Sequence, residues 1–230
     1  EFPGELASVG AGGNPAWEQP TIRVGMTSLS RPSAVYDHDL RTGELVLRKQ
    51  APVLGGYDAD EYEEHRLWAT SVDGVEVPIS LVVRKGVRGP DGTDPVPVHL
   101  YGYGAYEASI DPYFAVARLS LLDRGAAFAI AHVRGGGEMG RRWYDDGKMM
   151  KKMNTFNDFI DVAEYLTRSG YTKRDRLVAN GGSAGGLLMG AVVNLRPDLF
   201  KAVISHVPQI PAWKNGSSDW KRTTASISSG

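Results

Sequence analysis

The spacing of hydrophobic positions changes along this chain, from short alternating runs near its start to solid apolar runs and helical spacing further on. Thr21–Met26, Ala34–Asp39 and Glu44–Arg48 are strand-like runs, separated by Arg31, Pro32 and Ser33 and by Arg41, Thr42 and Gly43. Runs of this kind between turn residues predict an antiparallel meander, the texture of one propeller blade. One blade does not stand alone, so a larger parent is expected. Residues 1–20 are rich in Gly, Pro and Ala without a period, and are expected to form a tail or loop. Residues 51–64 form a linker containing Pro52, Gly55 and Gly56.

After the linker, Arg66–Val72 and Val75–Arg84 flank Asp73-Gly74, a strong short-range hairpin signal. A Pro/Gly/Asp loop over Gly86–Asp94 follows. Strand-like Val96–Tyr101, Ala126–Val133, Arg176–Asn180 and Lys201–Val207 then alternate with helix-like Phe114–Arg124, Asn154–Ser169 and Ala184–Leu195. In Asn154–Ser169, Phe156, Phe159, Ile160, Val162, Ala163 and Leu166 fall on one face. Strands that read as continuous apolar runs, alternating with helices, predict an α/β fold whose parallel sheet is covered on both faces. The expected division is 1–20 tail or loop, 21–55 end of a β-propeller, 56–208 partial α/β domain, and 209–230 a tail of different texture.

The candidate chemistry lies in Leu177-Val-Ala-Asn-Gly-Gly-Ser-Ala-Gly-Gly-Leu-Leu-Met-Gly190. An apolar strand runs into Gly-x-Ser-x-Gly and then into an apolar helix, the context of a nucleophile elbow on an α/β-hydrolase sheet. Gly181 and Gly185 flank Ser183 because side chains there collide across so tight a bend. Ser183 then stands at a helix N-terminus, where the Ala184 amide faces developing negative charge. A Gly-rich turn without chemistry explains the glycines but not the serine between them.

Composition narrows the function classes. The 230 residues carry 26 basic and 27 acidic side chains, a near balance that gives no sign of a nucleic-acid or membrane-surface partner. The absence of cysteine excludes disulfides, thiolate catalysis and Cys-based zinc sites. No apolar run has the roughly 18 residues of a membrane span. The chain opens on Glu1-Phe-Pro3 with no visible leader, so a piece of a longer protein, soluble and cytoplasmic, is the expectation. Neither a metal nor a cofactor is expected. The Gly-rich run after Ala126–Val133 lacks the Lys-Ser/Thr of a P-loop and does not match Gly-x-Gly-x-x-Gly, which argues against a nucleotide. Arg134 and Glu138 are expected to brace the site's rim, and Lys148, Lys151 and Lys152 to form a solvated helix face.

Four blocks carry a family resemblance: Arg66-Leu-Trp-Ala-Thr-Ser-Val-Asp-Gly-Val-Glu-Val-Pro-Ile-Ser80; Leu100-Tyr-Gly-Tyr-Gly-Ala105; His132-Val-Arg-Gly-Gly-Gly-Glu-Met-Gly140 with Trp143, Tyr144 and Asn154-Thr-Phe-Asn-Asp158; and the serine block with Arg196-Pro-Asp-Leu-Phe200. From about Thr21 to Pro208 the chain resembles the prolyl oligopeptidase family of serine peptidases. Ser183-Ala184 and Ser109-Ile-Asp111 resemble its oligopeptidase B branch. The resemblance implies the last blade of a β-propeller joined to an α/β-hydrolase domain incomplete at its C-terminal side, acting without cofactor on short peptides after Arg or Lys. It implies Ser183 as nucleophile, with the Tyr103 hydroxyl and the Ala184 amide as oxyanion donors. It also implies Asp111 as one of an acidic pair contacting the residue one further upstream. Tyr113 stands where the family has the second carboxylate. Asp111 reads equally as a cap for a helix starting near Pro112.

A hydrolase of this fold needs an acid and a histidine after its nucleophile, and in the family both lie much further along. Within reach here are Asp198, His206 and Asp219. Asp198 reads as part of a helix-to-strand turn, and His206 lies near the end of a strand. Beyond Pro208 the sequence is Ser/Thr-rich and unlike the family's continuation. Two alternatives to the peptidase therefore remain: a catalytically silent fragment or pseudo-enzyme, and an esterase or acyl-peptide hydrolase on the same fold. A sheet ending at Lys201–Val207 is expected to leave an unpaired apolar edge.

Overall fold

A computed structural model describes residues 6–87 and 94–208. The tail expected over 209–230, with Asp219, lies outside the described residues, as does the middle of the Gly86–Asp94 loop.

Strands β1 (Ser8–Ala11), β2 (Thr21–Thr27), β3 (Ala34–Asp39) and β4 (Leu45–Gln50) form an antiparallel sheet in sequential order. Strand β1 corrects the expectation that residues 1–20 are only tail or loop. It pairs from Ser8 opposite Thr27 to Ala11 opposite Val24. Its run Ser-Val-Gly-Ala has no alternation to reveal it; the open edge of β2 supplies the hydrogen bonds that make it a strand.

The second sheet has the order β10-β9-β7-β8-β6-β5. Strands β5 (Tyr62–Thr70) and β6 (Glu76–Arg84) make the hairpin expected around Asp73-Gly74, and β6 runs antiparallel to β8 (Ala127–Ala131). Strands β8, β7 (Val98–Gly102), β9 (Leu177–Gly182) and β10 (Ala202–His206) are mutually parallel. Four α-helices among the described residues accompany them: α1 (Val116–Leu122), α2 (Arg141–Asp145), α3 (Lys152–Arg168) and α4 (Ala184–Leu195). Helix α1 is shorter than the expected Phe114–Arg124. The five-residue α2 is too short for a hydrophobic period to announce it.

Side-chain alternation along the central strands feeds two cores. On one face Leu100, Ala129, Leu177 and Ala179 pack with Phe159, Val162 and Leu166 of α3 and with Leu188, Met189 and Val192 of α4. On the other, Val82, Phe128 and Ile130 pack with Leu122 of α1 and with Leu29 beyond β2. Each fully buried Leu, Ile or Phe contributes about 1.5–3 kcal/mol relative to exposure. Of the predicted α3 face, Phe159, Val162, Ala163 and Leu166 are buried, while Phe156 and Ile160 pack at the margin of the core.

The two sheets meet at Glu64, a buried carboxylate on β5. It accepts from Ser28 Oγ at 2.6 Å, from the Ser30 N–H at 2.6 Å and from the Leu6 N–H at 3.2 Å. A carboxylate withdrawn from water must be satisfied in this way.

Candidate active site

The apolar run of β9 is cut off by the helix-forming run of α4, and the chain reverses at Ser183 with φ 55° and ψ −115°. A non-glycine residue holds such angles only where its surroundings enforce them. Two glycines let those surroundings close in. A Cβ on Gly181 would lie 2.4 Å from the Gly185 carbonyl oxygen, and one on Gly185 would lie 2.6 Å from that of Gly102. The same Gly185 Cβ would sit 3.4 Å from the Tyr103 Cα. The bare backbone of Gly185 is therefore what allows the end of β7, with Tyr103, to abut the elbow. Ala184 is the first residue of α4, so its N–H has no partner within the helix. Ser183 and Ala184 thus stand on the elbow with the Tyr103 backbone against Gly185, the three positions to which the resemblance pointed.

Behind Tyr103 the chain turns through Gly104, with φ 65°. Lys152 Nζ donates to the Gly104 carbonyl oxygen. Burial pushes the Lys152 ammonium down to about 8, and among the described residues it faces no carboxylate within ion-pair distance. The expected solvated face of three lysines is corrected here. Lys148 and Lys151 pair with Asp145 and Asp146 near the surface, whereas Lys152, the first residue of α3, turns inward to the Gly104 carbonyl oxygen.

Arg134 and Glu138 occupy the rim. Arg134 is buried and forks onto Asp158, with Nη2 to Oδ1 at 2.6 Å and Nε to Oδ2 at 2.9 Å, while Nη1 reaches Asp73 Oδ2 at 2.5 Å. This ties the β5–β6 turn to α3, and Ser71 Oγ and the Val72 N–H reinforce the tie by donating to Asp161 Oδ2 at 2.7 and 2.8 Å. Glu138 Oε1 accepts the Ile110 N–H at 3.0 Å, holding the segment that carries Asp111.

Asp111 does not cap a helix. Helix α1 starts at Val116, its N-cap is Ala115, and no side chain bonds to that end. Asp111 is exposed and instead lines a cavity of about 340 Å³ with Arg66, Trp68, His132, Glu138 and Met139. Tyr113 is absent from that lining; its ring lies 5.2 Å from the Arg118 guanidinium, whose Nη1 donates to the Tyr113 carbonyl oxygen at 2.7 Å.

The two other candidates for the triad do not join the site. Asp198 is held by Arg196 Nε at 2.9 Å and Arg174 Nη1 at 2.8 Å, and its hydrogen bond with Arg196 lowers its carboxyl to about 2. His206 is exposed at the end of β10, paired in register with Gly182. No hydrogen bond to Ser183 Oγ occurs among the described residues.

A family profile described as the prolyl oligopeptidase family matches residues 112–224. Dipeptidyl aminopeptidase BI of Pseudoxanthomonas mexicana is 49% identical over 202 residues, which cover 87% of this chain and 27% of that protein. The chain belongs to the prolyl oligopeptidase family. Protease 2 of Moraxella lacunata is another relative, 44% identical over 84% of this chain and 28% of its own length. Among solved structures, oligopeptidase B from Trypanosoma brucei, in a closed form with covalently bound antipain, superposes with a TM-score of 0.82 at 42% identity. That likeness covers 91% of this chain and 30% of the oligopeptidase. The fold is thus that of the family: a propeller portion followed by an α/β-hydrolase sheet. The chain spans just over a quarter of the length of these curated relatives. The profile match extends to residue 224, past Pro208, where the resemblance read from the sequence ends.

No helix among the described residues is long and apolar enough to cross a membrane.

Proposed function

We propose that the protein hydrolyses short peptides after Arg or Lys through an acyl-enzyme on Ser183. The observation that carries this reading is the strained turn at Ser183, with φ 55°, against which Gly185 lets Tyr103 pack. Ser183 Oγ attacks the scissile carbonyl carbon and its proton passes to a base. The carbonyl oxygen becomes an oxyanion, held by the Tyr103 hydroxyl and the Ala184 N–H. Collapse of the intermediate expels the amine, which takes up the proton, and water then releases the acid. An oxyanion donor of this kind is worth about 3–4 kcal/mol of barrier. Asp111 contacts a basic side chain one residue further upstream; that preference separates a peptidase from an esterase or acyl-peptide hydrolase on the same elbow. The acid and base are supplied by residues other than Asp198, which two arginines already occupy.

A silent chain is the second reading, favoured by Asp198 being held by Arg174 and Arg196 and by the lack of a hydrogen bond to Ser183 Oγ among the described residues. Exposure to a fluorophosphonate followed by intact-mass analysis decides between the two, with Ser183→Ala as control. A single adduct that is lost in the variant supports an activated serine. A folded chain that takes up no adduct supports the silent reading. Hydrolysis of Arg- and Lys-containing peptides in preference to simple esters then tests the substrate class.

A further inference from the structure

The family's acidic pair is broken here at Tyr113, yet the cavity beside Asp111 holds a second carboxylate from a different part of the chain. Glu138, from the Gly-rich loop after β8, lines the same 340 Å³ space. Its Oε1 is anchored by the Ile110 N–H at 3.0 Å, one residue before Asp111. Its Oε2 is shielded from solvent and has no hydrogen-bond partner among the described residues.

We propose that Glu138 supplies the second negative charge of the subsite that Asp111 opens, in place of the carboxylate missing at Tyr113. It thereby selects a basic side chain one residue upstream of the Arg or Lys at the scissile bond. The inference rests on the reading of Asp111 given above.

The charges facing this space are few. His132 is buried, and its Nε2 lies 2.7 Å from Ser80 Oγ. Its Nδ1 lies 3.6 Å from Glu138 Oε1, too far for a hydrogen bond but within ion-pair distance when the ring is protonated. Arg66 is the competing cation, and its Nη1 is engaged by Ser80 Oγ at 2.8 Å. Asp111 and Glu138 together outnumber it. Trp68 and Met139 give the wall an apolar and aromatic surface for the stem of an Arg or Lys side chain, and the indole face itself attracts a cation. Glu138 need not touch the cation. A carboxylate shielded from water acts over several ångströms, because little solvent screens it. Sequence spacing hides this arrangement, since Asp111 and Glu138 meet only when the Gly-rich loop folds over residues 107–111.

The test is binding of two peptide amides, acetyl-Arg-Arg amide and acetyl-norleucyl-Arg amide, measured by calorimetry on the chain and three variants. The wild type is expected to favour the Arg-Arg peptide by about tenfold, equivalent to about 1.4 kcal/mol. Glu138→Gln keeps an acceptor for the Ile110 N–H but loses the charge, and is expected to lower that preference several-fold. Glu138→Asp keeps the charge at the cost of the anchor, and is expected to retain the preference while lowering the Tm. Asp111→Asn is expected to lower the preference as Glu138→Gln does. If Asp111→Asn collapses the preference and Glu138→Gln leaves it intact, Glu138 only holds the rim and this inference fails while the Asp111 reading stands. Equal weakening of both peptides by Glu138→Gln overturns it as well. If the wild type shows no preference, the reading of Asp111 itself fails.

Discussion

The backbone N–H of Ser183 donates to the carbonyl oxygen of His206 at 2.9 Å. The only histidine that follows the serine in this sequence therefore serves the elbow through its main chain. The bond joins the end of β10 to the start of α4 and helps hold Ser183 at its unfavourable angles.

Those angles carry a measurable cost. Ser183→Gly relieves a strain of about 1–3 kcal/mol, less whatever glycine adds in unfolded-chain entropy. A net gain of about 1 kcal/mol raises the Tm of a chain this size by about 2–4 °C. Thermal denaturation measures it, alongside loss of fluorophosphonate labelling; a lowered Tm would show that the turn is not strained.

Arg134 is the largest single electrostatic commitment at the rim. Arg134→Met leaves Asp158, which is fully buried, without a counter-charge, and is expected to cost about 3–5 kcal/mol. Arg134→Lys is expected to restore little, because an ammonium cannot fork onto Asp158 and reach Asp73 as well. Asp73→Asn is milder, since Asp73 is 41% exposed and exposed pairs contribute under about 1 kcal/mol. Urea denaturation midpoints rank the three.

Lys152 gives the fold a pH signature. Its folded value of about 8 lies below the ordinary 10.5 because of burial. Between those values the unfolded chain binds a proton that the folded chain does not, so stability rises with pH across that window. Lys152→Met is expected to remove the rise and to be the more stable form below pH of about 8. Tyr62, raised to about 12 by burial and then by its bond to Asp123, acts in the opposite sense only above its ordinary 10. Denaturation midpoints of wild type and variant, compared from pH of about 7 to 10, isolate the lysine. Parallel profiles would refute its burial.

Glu64 holds the two sheets together. Glu64→Ala leaves the Ser30 and Leu6 N–H groups without their acceptor, at about 1–3 kcal/mol for each group that stays buried. Loosening is expected in the linker, where Leu54 is already 92% exposed. Limited proteolysis over residues 51–56 should quicken in Glu64→Ala and change less in Glu64→Gln; equal rates in all three would remove Glu64 as the tie.

What was legible in the sequence follows from local chemistry. The alternation of apolar runs and helical faces, the Asp73-Gly74 hairpin and the Gly-x-Ser-x-Gly turn each depend on a few neighbouring residues, and all appear where the pattern put them. Strand β1 was not legible, because Ser8–Ala11 becomes a strand only on the edge of β2. Asp111 looked as much like a helix cap as a binding group until α1 was seen to begin at Val116.

By itself, then, the sequence determined the order and type of the elements other than β1 and α2, and the elbow, because periodicity and turn stereochemistry are local; the family came from the resemblance of its motif blocks. Tertiary structure alone decided which polar groups are buried and whom they meet: Glu64 under the blade, Lys152 behind Tyr103, and Glu138 beside Asp111. The physical reason is that burying a charge depends on every segment packed around it, and Glu138 and Asp111 come from segments that only the folded sheet brings side by side.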